Sequence, residues 1–257
     1  METRKTMIIA EIGSAWRFGP ASSVQMLDAV SIAKECGADA IKFQWTSDPR
    51  KMEQRREVPI GSYDILAWPI MWFPQVAEAA DELGIELMCT VFLPEDVEAL
   101  NPYVKRWKVA SLENQNEPLK NAMWKTGKPI CVSLGATGVL SGDWYGCETL
   151  HCTAAYPAPL DSLNLSAIQS FAYTGYSDHS RNELTGALAV ACGAKIVEVH
   201  FKFFGTPVDN PDYGHSLAPS QLRQYIANIR QAELMLGDGK KKIEKCEEWA
   251  LQHKVKS

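Results

Sequence analysis

Thr174-Gly-Tyr-Ser-Asp-His-Ser180 and Ala194-Lys-Ile-Val-Glu-Val-His-Phe201 are two short β-rich runs, each with a histidine close to its end. The stretch between them, Glu183 to Cys192, has the composition of one helix. Strand, helix and strand in that order form a parallel β-α-β unit. If the sheet closes into a barrel, consecutive strands bring His179 and His200 side by side at one rim. Two imidazoles held there make a candidate site for a divalent metal.

The same alternation extends outward along the chain. Strand-like runs are read at Met7–Gly13, Ala38–Trp45, Glu86–Phe92, Arg106–Ser111, Pro129–Leu134 and Glu148–Ala154, before the two already quoted. Helix-like runs are read at Ser23–Cys36, Ile70–Leu83, Pro94–Leu100, Pro118–Thr126, Leu165–Phe171, Glu183–Cys192 and Ser220–Leu236. Glycine or proline punctuates many joins, as in Gly37-Ala-Asp39 and Gly127-Lys-Pro129. The pattern predicts an α/β protein, a (β/α)8 TIM barrel of parallel strands. A doubly wound open sheet competes, but Glu11-Ile-Gly-Ser-Ala-Trp16 has one glycine where that fold needs a glycine-rich turn. The connection Gly135–Cys147 has thirteen residues and four glycines, so the helix between strands 5 and 6 is expected to be missing or very short. Trp144 is a candidate to cover the flank this leaves.

The 257 residues suit one domain, residues 1–257, with 237–257 as a C-terminal helical tail. A net charge of −5 argues against a nucleic-acid partner. METRKT lacks an apolar signal region, and no apolar run is long enough for a membrane span. The seven cysteines are scattered without a C-x-x-C pair and read as reduced thiols of a cytoplasmic protein.

Strand ends converge on one mouth of such a barrel. In order they supply Glu11, Lys42 and Gln44, Thr90, Lys108 and Ser111, Ser133, Thr153, Ser177 to His179, and His200. Alternation places Lys42 with Gln44, and Glu198 with His200, on one strand face, the neighbours on the other face being apolar. Charges inside a barrel need partners or a ligand, and this set suits a small, highly anionic substrate beside a metal. Each residue also has a plainer reading. Lys42 and Glu198 form a structural ion pair, Lys108 faces solvent, His200 is a hydrogen-bonded rim histidine, and His151 is packed. His215 and His253 have no informative context. Recurrence at the same end of several strands favours a site.

Seven motifs in order carry a family resemblance: Ala10-Glu-Ile-Gly13, Gly37-Ala-Asp-Ala-Ile-Lys-Phe-Gln44, Lys108-Val-Ala-Ser111, Thr126-Gly-Lys-Pro129, His151-Cys-Thr-Ala-Ala-Tyr-Pro157, Gly175-Tyr-Ser-Asp-His179 and Val197-Glu-Val-His-Phe201. A later Pro211-Asp212 followed by Ser216-Leu217 extends it. The chain resembles the sialic acid synthase (N-acetylneuraminate synthase, NeuB-like) family of phosphoenolpyruvate-condensing barrels. The resemblance implies a metal-dependent transferase that joins phosphoenolpyruvate to a sugar aldehyde, giving a 2-keto-3-deoxy acid and phosphate. It implies Mn2+, with Mg2+ or Co2+ as alternatives, held by His179 and His200. Lys42, Thr90, Lys108, Ser111 and Ser133 would hold phosphoenolpyruvate, with Ser177 nearby. Glu11, Gln44, Tyr156 and Asp212 would face the sugar, and Glu113 would orient or deprotonate water. Glu11, Glu113, Lys42 and Lys108 are thus the expected catalytic residues, and a homodimer is the candidate assembly.

The departures from the family pattern set further expectations. Ser14-Ala-Trp-Arg-Phe-Gly19 replaces an Asn-His-Asn-Gly type loop, which would put Trp16 and Arg17 at the mouth. Ala154 replaces a polar residue. The family's C-terminal antifreeze-like domain, which delivers an arginine to the acylated sugar, is expected to be absent. Arg17, or Arg50, Arg55 or Arg56 in the loop after the second strand, would replace that arginine, and an acceptor other than N-acetylmannosamine is expected. A pyruvate-type aldolase and a non-catalytic binding barrel are the competing functions.

Overall fold

The computed structural model describes residues 5–136 and 144–255. Strands β1 (Met7–Glu11), β2 (Ala40–Trp45), β3 (Glu86–Val91), β4 (Arg106–Val109), β5 (Ile130–Leu134), β6 (Glu148–Cys152), β7 (Gly175–Asp178) and β8 (Ile196–His200) pair in chain order and close into a barrel. Every pairing is parallel, including β1 with β8. Helices α1 (Ser23–Cys36), α2 (Pro49–Arg56), α3 (Phe73–Leu83), α4 (Pro94–Leu100), α5 (Glu117–Trp124), α6 (Ala167–Ser170), α7 (Thr185–Ala191), α8 (Pro219–Leu236) and α9 (Glu248–His253) follow the order expected of a (β/α)8 barrel.

The strands are shorter than the sequence runs: β1, β3, β4 and β6 end earlier at the mouth, where the chain bends away from the barrel, and β2 and β5 begin later at the opposite end. Local chemistry sets the helix ends. Ser22 caps α1 in a capping box with Gln25, and Gly37 ends it at φ 96°. α2 corrects the expectation of a loop after the second strand. Its apolar content is too low to show a helical stripe. Asp48 caps it by accepting from the Lys51 N–H, and Pro49 opens it.

Period-two alternation sorts side chains into two shells. Outward-facing residues such as Ile8, Ala10, Ile41, Phe43, Trp107, Val197 and Val199 pack in the large core that also takes in helix residues such as Met26, Val76, Leu222 and Ile229. Inward-facing Ile9, Ala40, Met88, Cys131, Leu150 and Ile196 form a separate apolar plug. Gly175 belongs to this layer. A Cβ there would lie 2.1 Å from the Ile196 carbonyl oxygen, so the plug closes only with glycine. Two residues further along the same strands, the inward positions become Glu11, Lys42, Thr90, Ser133, Cys152, Ser177 and Glu198, joined by Lys108. The plug thus floors a polar layer.

Residues 137–143, on which the expected loss of the fifth helix falls, lie outside the described residues. Trp144 is buried. Its Nε1 donates to the Asn114 carbonyl at 2.7 Å, and its ring meets Trp124 of α5 at 6.2 Å. Trp16 corrects another expectation. It is buried against Trp68 and Trp72, and its Nε1 donates to the Ile65 carbonyl, so it packs in the core instead of lining the mouth. Among the described residues, no helix is long and apolar enough to cross a membrane.

The burial of Trp144 yields a stability prediction. Trp144→Ala should cost about 3–5 kcal/mol, whereas Tyr145→Ala, at a fully exposed neighbour, should stay within about 0.5 kcal/mol. Urea unfolding of the two variants checks this, and equal midpoints would show that Trp144 covers nothing.

Candidate active site

The polar layer opens into a cavity of about 300 Å3 at the C-terminal strand ends. Of the strand-end and site residues expected at the mouth from the sequence, all line it except Glu11, Glu113, Thr153 and Asp178. Arg56, Tyr63, Phe92, Glu198, Pro211 and His215 join the lining.

The base of the cavity is a buried charge network. Lys42 Nζ donates to Thr90 Oγ1 at 3.0 Å, is ion-paired with Glu11, and lies 3.6 Å from Glu198. Lys108 Nζ donates to Ser133 Oγ at 2.8 Å and to the Val109 carbonyl at 3.0 Å, and lies 3.6 Å from the other Glu198 oxygen. Glu198 also accepts from Ser177 Oγ at 2.8 Å. Two lysines therefore share Glu198, with Glu11 holding the outer side of one. Burial would push the Glu198 carboxyl up, but Lys108 and Lys42 outweigh it and hold it below the usual carboxylate range. Burial also lowers Lys42 to about 8, against the opposing pull of Glu198. Lys108 does not face solvent. The Lys42–Glu198 pair, one of the plainer readings above, exists as part of this larger network.

The site's first wall follows from Ala10-Glu-Ile-Gly13. Glu11 Oε1 accepts from the Gly13 N–H at 2.7 Å and from Gln44 Nε2 at 3.3 Å. Gly13 has φ +48°, and a Cβ on it would sit 2.0 Å from Asp212 Oδ2. The glycine makes room for Asp212, which accepts from the Ser14 N–H at 2.6 Å. Opposite, Ser111 Oγ lies 3.4 Å from the Tyr156 hydroxyl, and the Tyr156 ring centroid is 4.4 Å from that of His179.

Glu113 is turned away from the cavity. It accepts from Arg55 at 2.6 Å, from Arg56, and from Asn116 at 2.8 Å. It thereby anchors Arg56, whose guanidinium also donates to the Tyr63 hydroxyl at 3.1 Å and sits over the Tyr63 and Phe92 rings. Of the arginines considered from sequence, Arg56 is the one on the cavity wall. Arg50 pairs with Glu53 and Asp64 outside it.

Imidazoles form the remaining side. His179 and His200 have ring centroids 5.4 Å apart, as their places on adjoining strands imply. His179 Nδ1 lies 2.9 Å from the Thr153 carbonyl, which orients the ring. His215, without informative context in the sequence, stands 4.5 Å from His200 and 6.1 Å from His179. Burial lowers the pKa of all three, His200 well below 6.5 and His215 to about 3, so they are neutral near pH 7. Burial raises Asp212 against its hydrogen bonds from Ser14. His200, Asp212 and His215 have ligand atoms within 4.8 Å of one another and make a candidate metal site. The residues fit a divalent ion. Nδ1 of His200 and both ring nitrogens of His215 are buried with no hydrogen-bond partner among the described residues. Leaving such a group unpaired costs about 1–3 kcal/mol. The one signal for His215 in sequence was its i,i+3 spacing from Asp212.

A profile of the NeuB family matches residues 29–241. The chain belongs to the NeuB family. It is 31% identical to the pseudaminic acid synthase of Campylobacter jejuni subsp. jejuni, covering 98% of this chain and 80% of that protein. It is 32% identical to the N,N'-diacetyllegionaminic acid synthase of Legionella pneumophila, covering 84% and 69%. The crystal structure of the N-acetylneuraminic acid synthetase of Leptospira borgpetersenii, solved with citrate, superposes with a TM-score of 0.80 at 25% identity, over 97% of this chain and 91% of that one. A 3-deoxy-D-arabino-heptulosonate 7-phosphate synthase of Thermotoga maritima, at 15% identity and TM-score 0.69, shares the barrel fold. For this NeuB-family barrel, most of the motifs that carried the resemblance build the charge network and its walls; Thr126-Gly-Lys-Pro129 instead leads into β5, where Lys128 donates to the Asn101 and Val104 carbonyls.

Glu198 gives a direct test of that network. Glu198→Gln removes the carboxylate two ammonium groups share and should cost about 3 kcal/mol. Inorganic phosphate or phosphoenolpyruvate should then raise the melting temperature more in the variant than in the wild type, because the lysines gain a replacement anion. Equal anion-induced shifts in thermal unfolding would contradict the arrangement.

Proposed function

We propose that the chain condenses phosphoenolpyruvate with a sugar aldehyde and water, giving a 2-keto-3-deoxy sugar acid and inorganic phosphate. The observation that carries this reading is the pair of buried ammonium groups above the apolar plug, each bonded to a hydroxyl and open to the cavity. Phosphoenolpyruvate is close to trianionic, and charge-assisted hydrogen bonds from fixed donors are the strong way to hold it. Lys42 and Lys108 are the cationic contacts, with Thr90, Ser111, Ser133 and Ser177 as hydroxyl donors. The network pre-orients both ammonium groups, so little reorganisation accompanies binding.

Bond-making needs the C3 carbon of phosphoenolpyruvate beside the aldehyde carbon, so the aldehyde lies on the imidazole side. His179 and His200, with a divalent ion such as Mn2+, complete that side. The chemistry such an ion supplies when bound is Lewis-acid polarisation of the aldehyde oxygen. Gln44 and Tyr156 are placed to orient the sugar hydroxyls. Glu11 fixes Gln44 and Lys42. Arg56, held by Glu113, is placed to donate to an acyl or anionic substituent at the outer wall. Glu113 acts in this arrangement through Arg56. The seven unbridged thiols, most of them buried, suit a cytoplasmic enzyme.

The deciding experiment incubates the chain with phosphoenolpyruvate, a panel of sugar aldehydes and Mn2+, and measures phosphate and 2-keto acid together. Stoichiometric release of both is expected. Product from pyruvate, with no phosphoenolpyruvate present, would indicate an aldolase instead. A separate prediction concerns affinity: Lys108→Met should raise the phosphoenolpyruvate dissociation constant at least about tenfold, in line with about 1.5–3 kcal/mol for a charge-assisted bond. Calorimetry that shows unchanged binding would remove Lys108 from the site.

A further inference from the structure

We infer that His215 and Asp212 bind the divalent ion directly, so that this chain holds its metal with three imidazoles and a carboxylate rather than with His179 and His200 alone. The inference rests on the reading of this cavity as a metal-dependent site. Donor atoms on one ion, each about 2.0–2.3 Å from it, lie no more than about 4.6 Å apart. The ligand atoms of His200, Asp212 and His215 fall within 4.8 Å of one another; His179, with its ring centroid 5.4 Å from that of His200, joins them by a small shift of its ring toward the ion. His215 is 2% exposed, lines the cavity, and has both ring nitrogens unbonded among the described residues. A core imidazole normally bonds at least one nitrogen, as His179 does through Thr153 and His151 does at 2.8 Å from the Leu163 carbonyl. Asp212 spends Oδ2 on the Ser14 N–H, while Oδ1 faces His215 Nε2 at 3.4 Å. The two atoms form no hydrogen bond with each other, and a cation between the two groups would satisfy both.

The segment that carries these ligands is built to hold position. Lys202 Nζ donates to the Tyr213 carbonyl at 2.6 Å and to the Ser216 carbonyl at 2.9 Å, bracketing His215. Leu217 then rejoins the barrel beside Phe201. Asn210 donates to the Ser14 carbonyl and accepts from its hydroxyl, which fixes the segment's other end. Three imidazoles and one carboxylate suit a first-row transition ion such as Mn2+, Fe2+ or Co2+. On a six-coordinate ion they leave two positions for substrate oxygens.

The test uses the full chain loaded with Mn2+ or Co2+. His215→Ala should raise the Mn2+ dissociation constant at least about tenfold and shift the visible absorption bands of bound Co2+, while phosphoenolpyruvate affinity without metal stays unchanged. An unchanged metal affinity and Co2+ spectrum would overturn the inference. A second measurement needs no variant. Pulsed electron paramagnetic resonance of Mn2+ bound to wild-type chain with 15N-labelled histidine should count three coupled imidazoles, and a count of two would overturn the proposal even if His215→Ala does not fold. None of these readouts requires turnover. A chain with three coupled imidazoles but no phosphate release would reject the proposed function alone, and an active chain with two would reject this inference alone.

Discussion

Two ammonium groups, Lys42 and Lys108, cannot sit inside a barrel unless something compensates for their lost hydration. Taking an ion out of water costs several kcal/mol even after the protein relaxes. The compensation comes from Glu11 and Glu198, with Thr90, Ser133 and Ser177 bonding the remaining valences. Much of the rest follows from this requirement. Inward positions one step below must be apolar to seal the floor, and Gly175 must lack a side chain for them to close. Outward neighbours must be apolar to pack against helices, which is why Lys42 is flanked by Ile41 and Phe43, and Glu198 by Val197 and Val199. The network offers no net gain in stability over an apolar core. In the function proposed here, its value is that of an anion receptor whose cations are fixed before the ligand arrives.

The second constraint is the crowding of neutral imidazoles beside that cationic floor. Burial and the nearby lysines disfavour protonation of His200. The site therefore separates into a part that carries fixed positive charge, suited to the proposed anionic substrate, and a part that presents neutral nitrogen atoms, suited to the proposed cation. The segment between β8 and α8 closes the second part, and its lock onto Ser14 and Gly13 ties β1 to the same task. The first and last strands thus meet both at the closure of the barrel and at the proposed metal.

The barrel was legible because each strand is a β-rich run bounded by turn residues, and because Lys42 with Gln44, and Glu198 with His200, follow strict alternation. Position near the C-terminal ends of two further strand-like runs places Lys108 and Ser133 at the mouth. What was not legible has physical reasons. α2 is charged along most of its length and is held by caps and by the buried Glu53, which accepts from the Gly61 and Tyr63 N–H groups, so it shows no apolar stripe. Trp16 follows a strand end and was read as lining the mouth, yet its burial depends on Trp68 and Trp72, some fifty residues on. Glu113 could not be seen to serve Arg55 and Arg56, because that contact spans two connections. His215 lies in a segment with no periodicity, and only folding shows that it stands beside His200.

The most direct test of this account is the crystal structure of the full chain with phosphoenolpyruvate and Mn2+. The account predicts the phosphate or carboxylate oxygens within about 2.7–3.2 Å of Lys42 and Lys108 Nζ, with the ion among His179, His200, His215 and Asp212. Phosphoenolpyruvate bound outside the mouth, with both lysines keeping only their Glu11 and Glu198 contacts, would contradict it.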